Sequence, residues 1–366
     1  MRAAVLRETG QPLTIEDVEL DEPGPGEVRV RVEAAGVCHS DLHYVLGDLP
    51  ARLPLVIGHE GAGVVEAVGP LTTGRVSVGD RVALQWRPRC GECDACVAGN
   101  PVLCRFGRVL ATTNGLMDGT SRLHAGGETL HHLMGVSCFA EQVVVSETSV
   151  LAIPDEVPTE VAAISACAVI TGVGAVLNAV EDGAGRPLLV IGTGGVGVAA
   201  VMGASLVGAG PVIAVDVDPG RLDLARSVGA THTIDAREGD VVEQVLALTG
   251  GVGVPWALDA VGSPVTMRQA VDALSPGGTL VAVGLNRPDA TVALPINDLV
   301  QRQKRVVGAL YGASNPRLDL PRLFGLYASG RLPIDRLVGA RRPLSEANEA
   351  LAGLRGGSAG RTILVP

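Results

Sequence analysis

Seven cysteines stand out in this chain of 366 residues, and four of them lie close together. Cys90, Cys93, Cys96 and Cys104 follow one another in the pattern C-x-x-C-x-x-C-x7-C. Four thiolates complete a tetrahedron around zinc and leave no position for a substrate, which is how structural zinc sites are built. Disulfides and an iron–sulfur cluster are the alternatives, but the spacing departs from that of ferredoxins and no proline follows the last cysteine. The run therefore predicts a structural zinc site.

Two further cysteines, Cys38 and Cys167, lie far apart, and His59 falls between them in the string Gly58-His59-Glu60. Two thiolates and one imidazole would leave the fourth position of a zinc ion open, which is the arrangement of a catalytic zinc. Their spacing in the sequence does not show that these three residues bind the same metal ion, because each of them could also be an ordinary core residue. Cys138 is the one cysteine outside both sets.

A glycine-rich motif follows the apolar stretch Leu188–Ile191 and opens a helical pattern over Val198–Val207. The motif consists of Gly192, Thr193, Gly194, Gly195, Val196 and Gly197. Its glycines let the backbone approach a pyrophosphate, whose charge the helix N-terminus favours. Asp216, about 20 residues further on, is placed to accept hydrogen bonds from ribose hydroxyls and to repel a 2′-phosphate. The motif predicts a dinucleotide site that prefers NAD to NADP, with an ordinary strand–helix turn and a capping Asp as the alternative.

Length, charge and composition narrow the class of protein. The chain is long enough for about two domains, and 47% hydrophobic residues can fill two cores. A net charge of -10 without a basic run argues against a nucleic-acid partner. We expect no membrane-spanning helix and, from the N-terminal residues, no signal peptide, so that the protein should be cytoplasmic. In that compartment clustered cysteines are more often metal ligands than disulfides.

The elements that must position these residues change character along the chain. The first third reads as short strands, of which Glu27–Glu33 alternates polar and apolar residues, and residues 88–137 read as a long loop. From about residue 187 strands alternate with helices, which predicts an α/β, doubly wound parallel sheet of the Rossmann type. Its candidate strands are Leu188–Ile191, Val212–Val215, His232–Ile234, Trp256–Asp259, Thr279–Val283 and Val306–Leu310. The chain ends in helical patterns and a strand, so the cofactor domain is expected to be inserted into a β-rich domain.

Several motifs occur together in the order found in zinc-dependent medium-chain alcohol dehydrogenases. These are Gly36–Asp41, Gly58–Gly63, the four-cysteine run, Cys167 with Thr171 four residues on, and Gly192–Gly197. The sequence resembles this family over essentially its whole length, and Asp118–Arg122 with His131-His132 resembles its longer, liver-type branch and related actinobacterial enzymes. The resemblance implies a GroES-like zinc-binding catalytic domain over residues 1–168 and 312–366 and a dinucleotide-binding Rossmann domain over 169–311.

The resemblance also assigns the three scattered candidate ligands to one zinc site. It implies that Cys38, His59 and Cys167 hold the catalytic zinc, and that Glu60 lies behind the metal and briefly replaces a ligand during exchange. Asp41 would orient His59 through the second ring nitrogen of the imidazole.

Roles in proton transfer are implied for two residues. Ser40 would accept the hydroxyl proton of the substrate, and His43 would pass it to solvent through the nicotinamide ribose. The alternative for His43 is an exposed helical histidine. Three-residue spacing would place the two side chains on one face of a helix.

Cofactor and substrate contacts are implied at further positions. Among the cofactor-binding residues, His39 and Arg361 match positions that contact the pyrophosphate, and Arg221 matches a position beside the adenosine ribose. Thr171 is expected in the same cleft. The family often has Arg at the position of His39. A histidine there would bind the pyrophosphate more weakly than an arginine. Walls of the substrate pocket are implied for Trp86, Leu133 and Met134, with a core position as the alternative for Trp86.

Together these features predict a zinc-dependent, NAD-linked alcohol dehydrogenase with two zinc ions per chain. Its substrate would be an apolar primary or secondary alcohol or the matching aldehyde or ketone, and the chain would form a homodimer, with a tetramer as the alternative. A formaldehyde dehydrogenase acting on a thiol adduct is the second hypothesis, in which Arg108 would meet an anion. A polyol dehydrogenase commonly has an acid at the position of Cys167. A sensing protein without catalysis would not need Ser40 and His43.

Overall fold

The computed structural model describes residues 1–356 and 359–366, in which three β-sheets are covered by helices. The strands are β1 Arg2–Leu6, β2 Thr14–Asp17, β3 Glu19–Leu20, β4 Glu27–Gly36, β5 Leu55–Val56, β6 Glu60–Val68, β7 Arg81–Leu84, β8 Leu123–Ala125, β9 Glu128–His132, β10 Gln142–Ser146, β11 Val150–Ala152, β12 Leu188–Ile191, β13 Val212–Asp216, β14 His232–Asp235, β15 Val254–Asp259, β16 Leu274–Ala282, β17 Arg305–Gly308, β18 Val338–Pro343 and β19 Arg361–Val365. The helices are α1 His39–Leu46, α2 Asp94–Val97, α3 Arg105–Thr113, α4 Thr159–Ile164, α5 Ile170–Ala179, α6 Gly195–Leu206, α7 Pro219–Ser227, α8 Val241–Leu248, α9 Pro264–Asp272, α10 Ile296–Gln301, α11 Pro316–Ala328 and α12 Ala347–Gly353.

The cofactor domain is built on a six-stranded parallel sheet with the strand order β14-β13-β12-β15-β16-β17. This is the doubly wound order of dinucleotide-binding folds, and it confirms the α/β prediction. The strand order reverses beside β12, and the glycine motif follows that strand directly. A ligand crevice is expected at such a reversal, outside the carboxyl ends of the strands. The predicted last strand is shorter than expected because the backbone turns at Tyr311 and Gly312, which have φ values of 53° and 68°.

The catalytic domain is built on a seven-stranded sheet, most of it in the order β11-β7-β6-β4-β19-β18, with β10 also paired to β4. Alternation along β4 buries Val28, Val30 and Val32 and leaves Arg31 exposed, as the sequence pattern predicted. The C-terminal strand β19 pairs with β4 from the N-terminal part of the chain. Both ends of the chain therefore build one sheet, and the parallel sheet is inserted between them.

The prediction that residues 88–137 form a long loop is wrong in part. This segment contains α2 and α3, and its last residues form the β8–β9 hairpin. In the third sheet, of order β2-β1-β5-β9-β8-β3, β9 pairs with β5. These helices and strands are short, so the spacing of their apolar residues does not show a clear helical or strand periodicity. This explains why the hydrophobic pattern did not predict them.

A long apolar helical run joins the two domains. Within the described residues, one helix, Thr159–Ala179, is long and apolar enough to cross a membrane, and 89% of its most apolar stretch is buried inside the protein. It comprises α4, a π-helical stretch at Ser165–Val169, and α5. One end packs on β4 and β6 and the other on α6. Burial on several sides therefore accounts for its apolar character.

Candidate active site

A cleft of about 560 Å³ lies between the two domains. Its wall includes residues of the catalytic domain and of the glycine motif. Among them are Cys38, His39, Ser40, His43, Trp86, Cys167, Thr171, Gly192, Gly194, Gly195, Val196, Gly197, Asp216, Arg221 and Arg361. The structure thus brings most of the residues singled out in the sequence into one space.

Cys38 and Cys167 line the cleft, and their ligand atoms and those of His59 and Glu60 all lie within 4.8 Å of one another. Cys38 immediately precedes α1, His59 precedes β6, and Cys167 lies on the π-helical stretch. Single-turn π-helices occur frequently at functional sites, because the extra residue redirects the side chains around it. All four residues are buried. Residues separated by more than a hundred positions in sequence therefore form one compact donor set.

Asp41 orients two members of this set. Its Oδ1 atom lies 2.8 Å from Nδ1 of His59, and its Oδ2 atom accepts a hydrogen bond from the backbone N–H of Cys38 at 2.9 Å. With Nδ1 engaged, Nε2 is the ring nitrogen of His59 that can bind a metal. Two thiol groups and an imidazole oriented by a carboxylate form a donor set that fits zinc.

The two cysteine side chains are close enough to share a proton. Contact with Cys167 lowers the pKa of the Cys38 thiol well below its usual value, and the nearby positive charge of Arg361 acts in the same direction. The thiolate is the form that binds metals. The electrostatics around Cys38 thus favour the ligand form of this side chain.

Glu60, the fourth member of the donor set, forms a buried ion pair with Arg361. Nη2 of Arg361 lies 2.9 Å from Oε1 of Glu60, and Nη1 donates a hydrogen bond to the carbonyl oxygen of Val37 at 3.2 Å. Burial raises the pKa of Glu60 to about 8, and the charge of Arg361 opposes this shift. A Cβ atom on Gly195 would lie 2.7 Å from Cζ of Arg361, so the glycine makes room for the guanidinium. Arg361 thus lines the cofactor cleft, as predicted, but it also pairs with a residue of the donor set.

The four-cysteine run forms a second compact donor set. The sulfur atoms of Cys90, Cys93, Cys96 and Cys104 all lie within 4.8 Å of one another, and none of the four is in a disulfide. Backbone N–H groups of Cys90 and Cys93 each donate a hydrogen bond of 3.3 Å to a cysteine sulfur. Such bonds from Arg105 and Cys96 lower the pKa of Cys93 to about 6. The set has four sulfur ligands and no carboxylate or imidazole, which fits a closed structural zinc site.

Ser40 and His43 lie on the first helix, on the cleft side. The Oγ atom of Ser40 lies 3.7 Å from the sulfur of Cys38. Nδ1 of His43 lies 2.9 Å from Oδ2 of Asp48, a contact that sequence reasoning missed. The only local signal for it is Gly47, which ends the helix in the left-handed conformation and turns the chain back.

Hydrogen bonds fix the carboxylate of Asp216 at the end of β13. One of its oxygens accepts bonds from the backbone N–H and the hydroxyl of Thr193 at 2.7 and 3.1 Å. The other accepts from the backbone N–H groups of Val217 and Asp218 at 2.8 and 3.0 Å. These donors hold the carboxylate in place at the edge of the cleft, beside the glycine motif.

The glycine motif itself is required by close packing. A Cβ atom on Gly197 would lie 1.7 Å from the carbonyl oxygen of Gly192, so no other residue fits there. Arg221 is held beside Asp216, with 4.0 Å between Nη1 and Oδ1, while its Nη2 donates to the carbonyl oxygen of Leu354 at 3.0 Å. This last bond links the cofactor domain to the C-terminal part of the chain.

Of the three predicted substrate contacts, the structure places one, Trp86, on the cleft wall. Trp86 lines the cleft, where its ring lies 4.6 Å from that of Tyr311 and 6.3 Å from that of His59. Leu133 is instead fully buried in the core of the catalytic domain, and Met134 packs against the same core. The turn after β9 carries both residues into this core, where the backbone N–H of Leu133 donates to the carbonyl oxygen of Val56 at 3.2 Å and to Oγ of Ser137 at 2.9 Å. The apolar wall includes Leu285, Leu310 and Tyr311, which the sequence did not suggest.

Both parts of the chain match known families. Residues 24–155 match the alcohol dehydrogenase GroES-like domain, and residues 195–329 match the zinc-binding dehydrogenase family. The sequence is 39% identical to the NDMA-dependent alcohol dehydrogenase of Amycolatopsis methanolica, over 100% of this chain and 98% of that protein. The chain belongs to the zinc-dependent medium-chain alcohol dehydrogenase family. It is therefore an oxidoreductase that acts on CH–OH groups.

Solved structures agree with this assignment over the full length. A zinc-binding alcohol dehydrogenase domain protein from Burkholderia ambifaria is similar with a TM-score of 0.94 and 39% identity, covering 100% of this chain and 98% of that chain. The benzyl alcohol dehydrogenase of Acinetobacter calcoaceticus is similar with a TM-score of 0.92 and 34% identity, with the same coverage of 100% and 98%. The insertion of a doubly wound domain into a GroES-like domain is thus the shared architecture.

Arg108 bears on the choice between alcohols and thiol adducts. It lies on the solvent side of α3, is exposed, and is not among the residues of the cleft wall. The structure therefore places this arginine as a surface charge outside the cleft wall.

Proposed function

We propose that this alcohol dehydrogenase transfers hydride reversibly between an apolar primary or secondary alcohol and NAD, with a catalytic and a structural zinc ion in each chain. One observation carries the proposal. A single cleft is lined by Cys38 and Cys167, whose ligand atoms lie within 4.8 Å of that of His59, and also by the glycine motif and Asp216. Substrate oxygen and nicotinamide would meet between the two.

The two donor sets would give their zinc ions different roles, one catalytic and one structural. When bound to Cys38, His59 and Cys167, zinc would supply Lewis acidity to the substrate oxygen and make its proton easier to lose. Asp41 holds the imidazole and the Cys38 backbone in a fixed orientation, which would keep both ligands in place for the metal. The four-cysteine set would tether the segment around α2 and α3.

The cofactor preference is proposed from the charge of Asp216. NAD, when bound, supplies the hydride acceptor, while the chain supplies position and electrostatics. Asp216 would accept hydrogen bonds from the ribose hydroxyls and repel a 2′-phosphate. Gly195 and Gly197 would allow the backbone to approach the pyrophosphate, and His39 and Arg361, which line the same cleft, would contact it.

Protons would leave the cleft along α1. Ser40 lies next to Cys38, where its hydroxyl oxygen can accept the proton of a bound alcohol. His43 lines the same cleft one helical turn later and would carry the proton to solvent. Aldehyde reduction would use the same path in reverse.

The substrate class is proposed from the wall around the donor set. Trp86, Tyr311, Leu310 and Leu285 are mostly apolar and line the same cleft as Cys38 and Cys167. Such a wall favours an apolar alcohol over a polyol or an anionic thiol adduct, because buried polar groups without partners are costly.

The proposal is tested by a panel of primary, secondary and aromatic alcohols, a polyol and a thiol adduct of formaldehyde, each with NAD and with NADP. The absorbance of the reduced nicotinamide reports turnover. We expect the highest kcat/KM for an apolar alcohol with NAD. Turnover confined to the thiol adduct, or none with any alcohol, would refute the proposed function.

For the assembly we propose a homodimer, with a tetramer as the alternative. Among the described residues, β17 pairs only with β16, so its outer edge has free backbone groups. Val306 and Val307 on this strand are 40% and 38% exposed, and Ile296 of the nearby α10 is 78% exposed. Edge strands of this kind pair readily with another strand. Light scattering on the native protein and on Val307→Lys should show a dimer that the charge disrupts.

The environment is proposed from charge alone. The acidic chain without a basic run is suited to a cytoplasmic enzyme that has a small molecule as its substrate and neither nucleic acid nor a membrane as its partner. Cell fractionation would test the location.

A further inference from the structure

Asp48 is in direct contact with the histidine of the proposed proton path. Oδ2 of Asp48 lies 2.9 Å from Nδ1 of His43, and His43 lines the cleft. Because Asp48 engages Nδ1, the Nε2 atom is the ring nitrogen left to exchange a proton. Neither the glycine and cysteine motifs nor the ligand sets assign any role to Asp48.

The end of α1 places Asp48 in this position. Gly47 ends the helix with φ of 80°, and the chain then folds back over the last turn. The backbone N–H of Asp48 donates a hydrogen bond to the carbonyl oxygen of His43 at 2.9 Å. A Cβ atom on Gly47 would lie 2.2 Å from Cγ2 of Thr9, so this turn requires glycine. One residue thus contacts both the backbone and the ring of His43.

Stability alone does not account for this contact. Both side chains are 27% exposed, and ion pairs with that much solvent contact contribute little to the free energy of folding. The backbone bonds of the turn do not need a carboxylate. What the carboxylate adds is a fixed direction of the imidazole ring and a preference for the tautomer that carries its proton on Nδ1.

We propose that Asp48 is a positioning residue for proton transfer, which holds His43 by Nδ1 so that the unprotonated Nε2 atom faces the cleft. The inference rests on the proposed function, since it requires His43 to carry protons. Nε2 accepts one proton from the cleft, and the ring later gives one proton to water. Asp48 itself touches neither substrate nor cofactor.

The test is a double-mutant cycle between Asp48 and His43. We measure kcat for a primary alcohol with NAD in Asp48→Ala, His43→Gln and the double variant. Asp48→Ala should lower kcat about three- to tenfold, a minor share of the ~10²–10⁴ that general acid–base groups contribute. In the His43→Gln background the same change should alter kcat less than about twofold, because the ring that Asp48 positions is gone.

Two further variants separate positioning from folding. Asp48→Asn keeps an acceptor oxygen at Nδ1 and should retain at least about half of kcat. Asp21→Ala breaks a His–Asp contact of the same 2.9 Å length, between His124 and Asp21, away from the cleft, and should leave kcat unchanged. If Asp48→Ala is too unstable to purify, Asp48→Ser, whose hydroxyl is too short to reach Nδ1, takes its place with the same expectation.

The kcat values of these variants support or overturn the positioning role of Asp48. A loss of kcat in Asp48→Ala that is rescued by Asp48→Asn and disappears in the His43→Gln background supports the proposal. No loss, or an equal loss in both backgrounds, overturns it. A wild-type protein that oxidises no alcohol would instead refute the proposed function, so the two failures are distinguishable.

Discussion

Oε1 of Glu60 and Nη2 of Arg361 lie 2.9 Å apart in the interior, where both side chains are almost inaccessible to solvent. Glu60 follows the donor His59, and Arg361 begins the C-terminal strand β19 and lies against Gly195. This ion pair therefore ties the metal ligands to the glycine motif of the cofactor cleft.

Above about pH 8, where the Glu60 carboxylate is charged, Glu60→Gln should destabilise the protein strongly, because it leaves the buried charge of Arg361 without this partner. Removal of one member of a buried pair costs about 3–5 kcal/mol, whereas removal of both charges costs much less. Urea unfolding of Glu60→Gln, and of the same variant with Arg361→Met added, measures the difference. A double variant no more stable than Glu60→Gln would show that the ion pair is not the source of the loss.

Asp216→Ser should raise the use of NADP relative to NAD by more than about tenfold, since charge-assisted contacts with the ribose are lost and repulsion of the phosphate ends. The measurement is the ratio of kcat/KM for the two cofactors. Asp218→Ser is the matched control, because Asp218 caps α7 through the backbone N–H of Arg221 and does not line the cleft. A wild type that already prefers NADP would contradict the assignment.

Ser40→Ala and His43→Gln should lose activity differently. Ser40→Ala removes the group that takes the proton directly and should cost about 10²–10⁴ in rate. His43→Gln interrupts only the exit and should cost less, and imidazole buffer should partly restore it, because a mobile base replaces the ring. Turnover of both variants against buffer concentration at fixed pH and ionic strength is the readout. Equal, buffer-insensitive losses would mean that protons leave by another route.

Much of the fold followed from local sequence patterns. All six strands of the parallel sheet were predicted, and most of their ends lie within two residues of the prediction, because strands such as Leu188–Ile191 and Val212–Asp216 are nearly continuous apolar runs. The glycine motif was predicted from its own residues together with the strand before it and the helix after it. The four-cysteine set likewise came from a single short run.

The remainder depends on contacts between distant segments. The Glu60–Arg361 pair depends on the pairing of distant strands, and the His43–Asp48 pair depends on the cap of a helix. Neither contact could be predicted from the hydrophobic periodicity of the sequence. Leu133 was assigned to the pocket by resemblance, although the turn after β9 carries it into the core. A side chain's direction at such a turn is set by the tertiary packing around it.

His132 gives the folded protein a pH dependence that a variant can isolate. Burial, Arg122 and His131 lower the pKa of His132 to about 3, and its Nε2 accepts a hydrogen bond from the backbone N–H of Arg122. In the unfolded chain a histidine takes up a proton near pH 6.5. Its contribution to stability is therefore complete above about pH 6.5 and is lost as the pH falls towards 3.

His132→Gln keeps an acceptor for Arg122 but removes this titration. The free energy of unfolding of the wild type relative to the variant should fall by about 1.4 kcal/mol between pH 7.5 and 5.5. Urea unfolding at the two pH values measures it. A difference that does not change with pH would mean that His132 is not kept neutral by the fold.

The central claim is that the chemistry takes place at Cys38, His59 and Cys167, while the four-cysteine set only stabilises the fold. The most direct test follows zinc content, alcohol-dependent reduction of NAD and far-ultraviolet circular dichroism in one sample during titration with a mild chelator. We expect about two zinc ions per freshly purified chain, with activity lost together with the first and the spectrum unchanged, because only the open site has an exchangeable position. Fewer than two zinc ions, or activity that survives the loss of the first, would contradict the account.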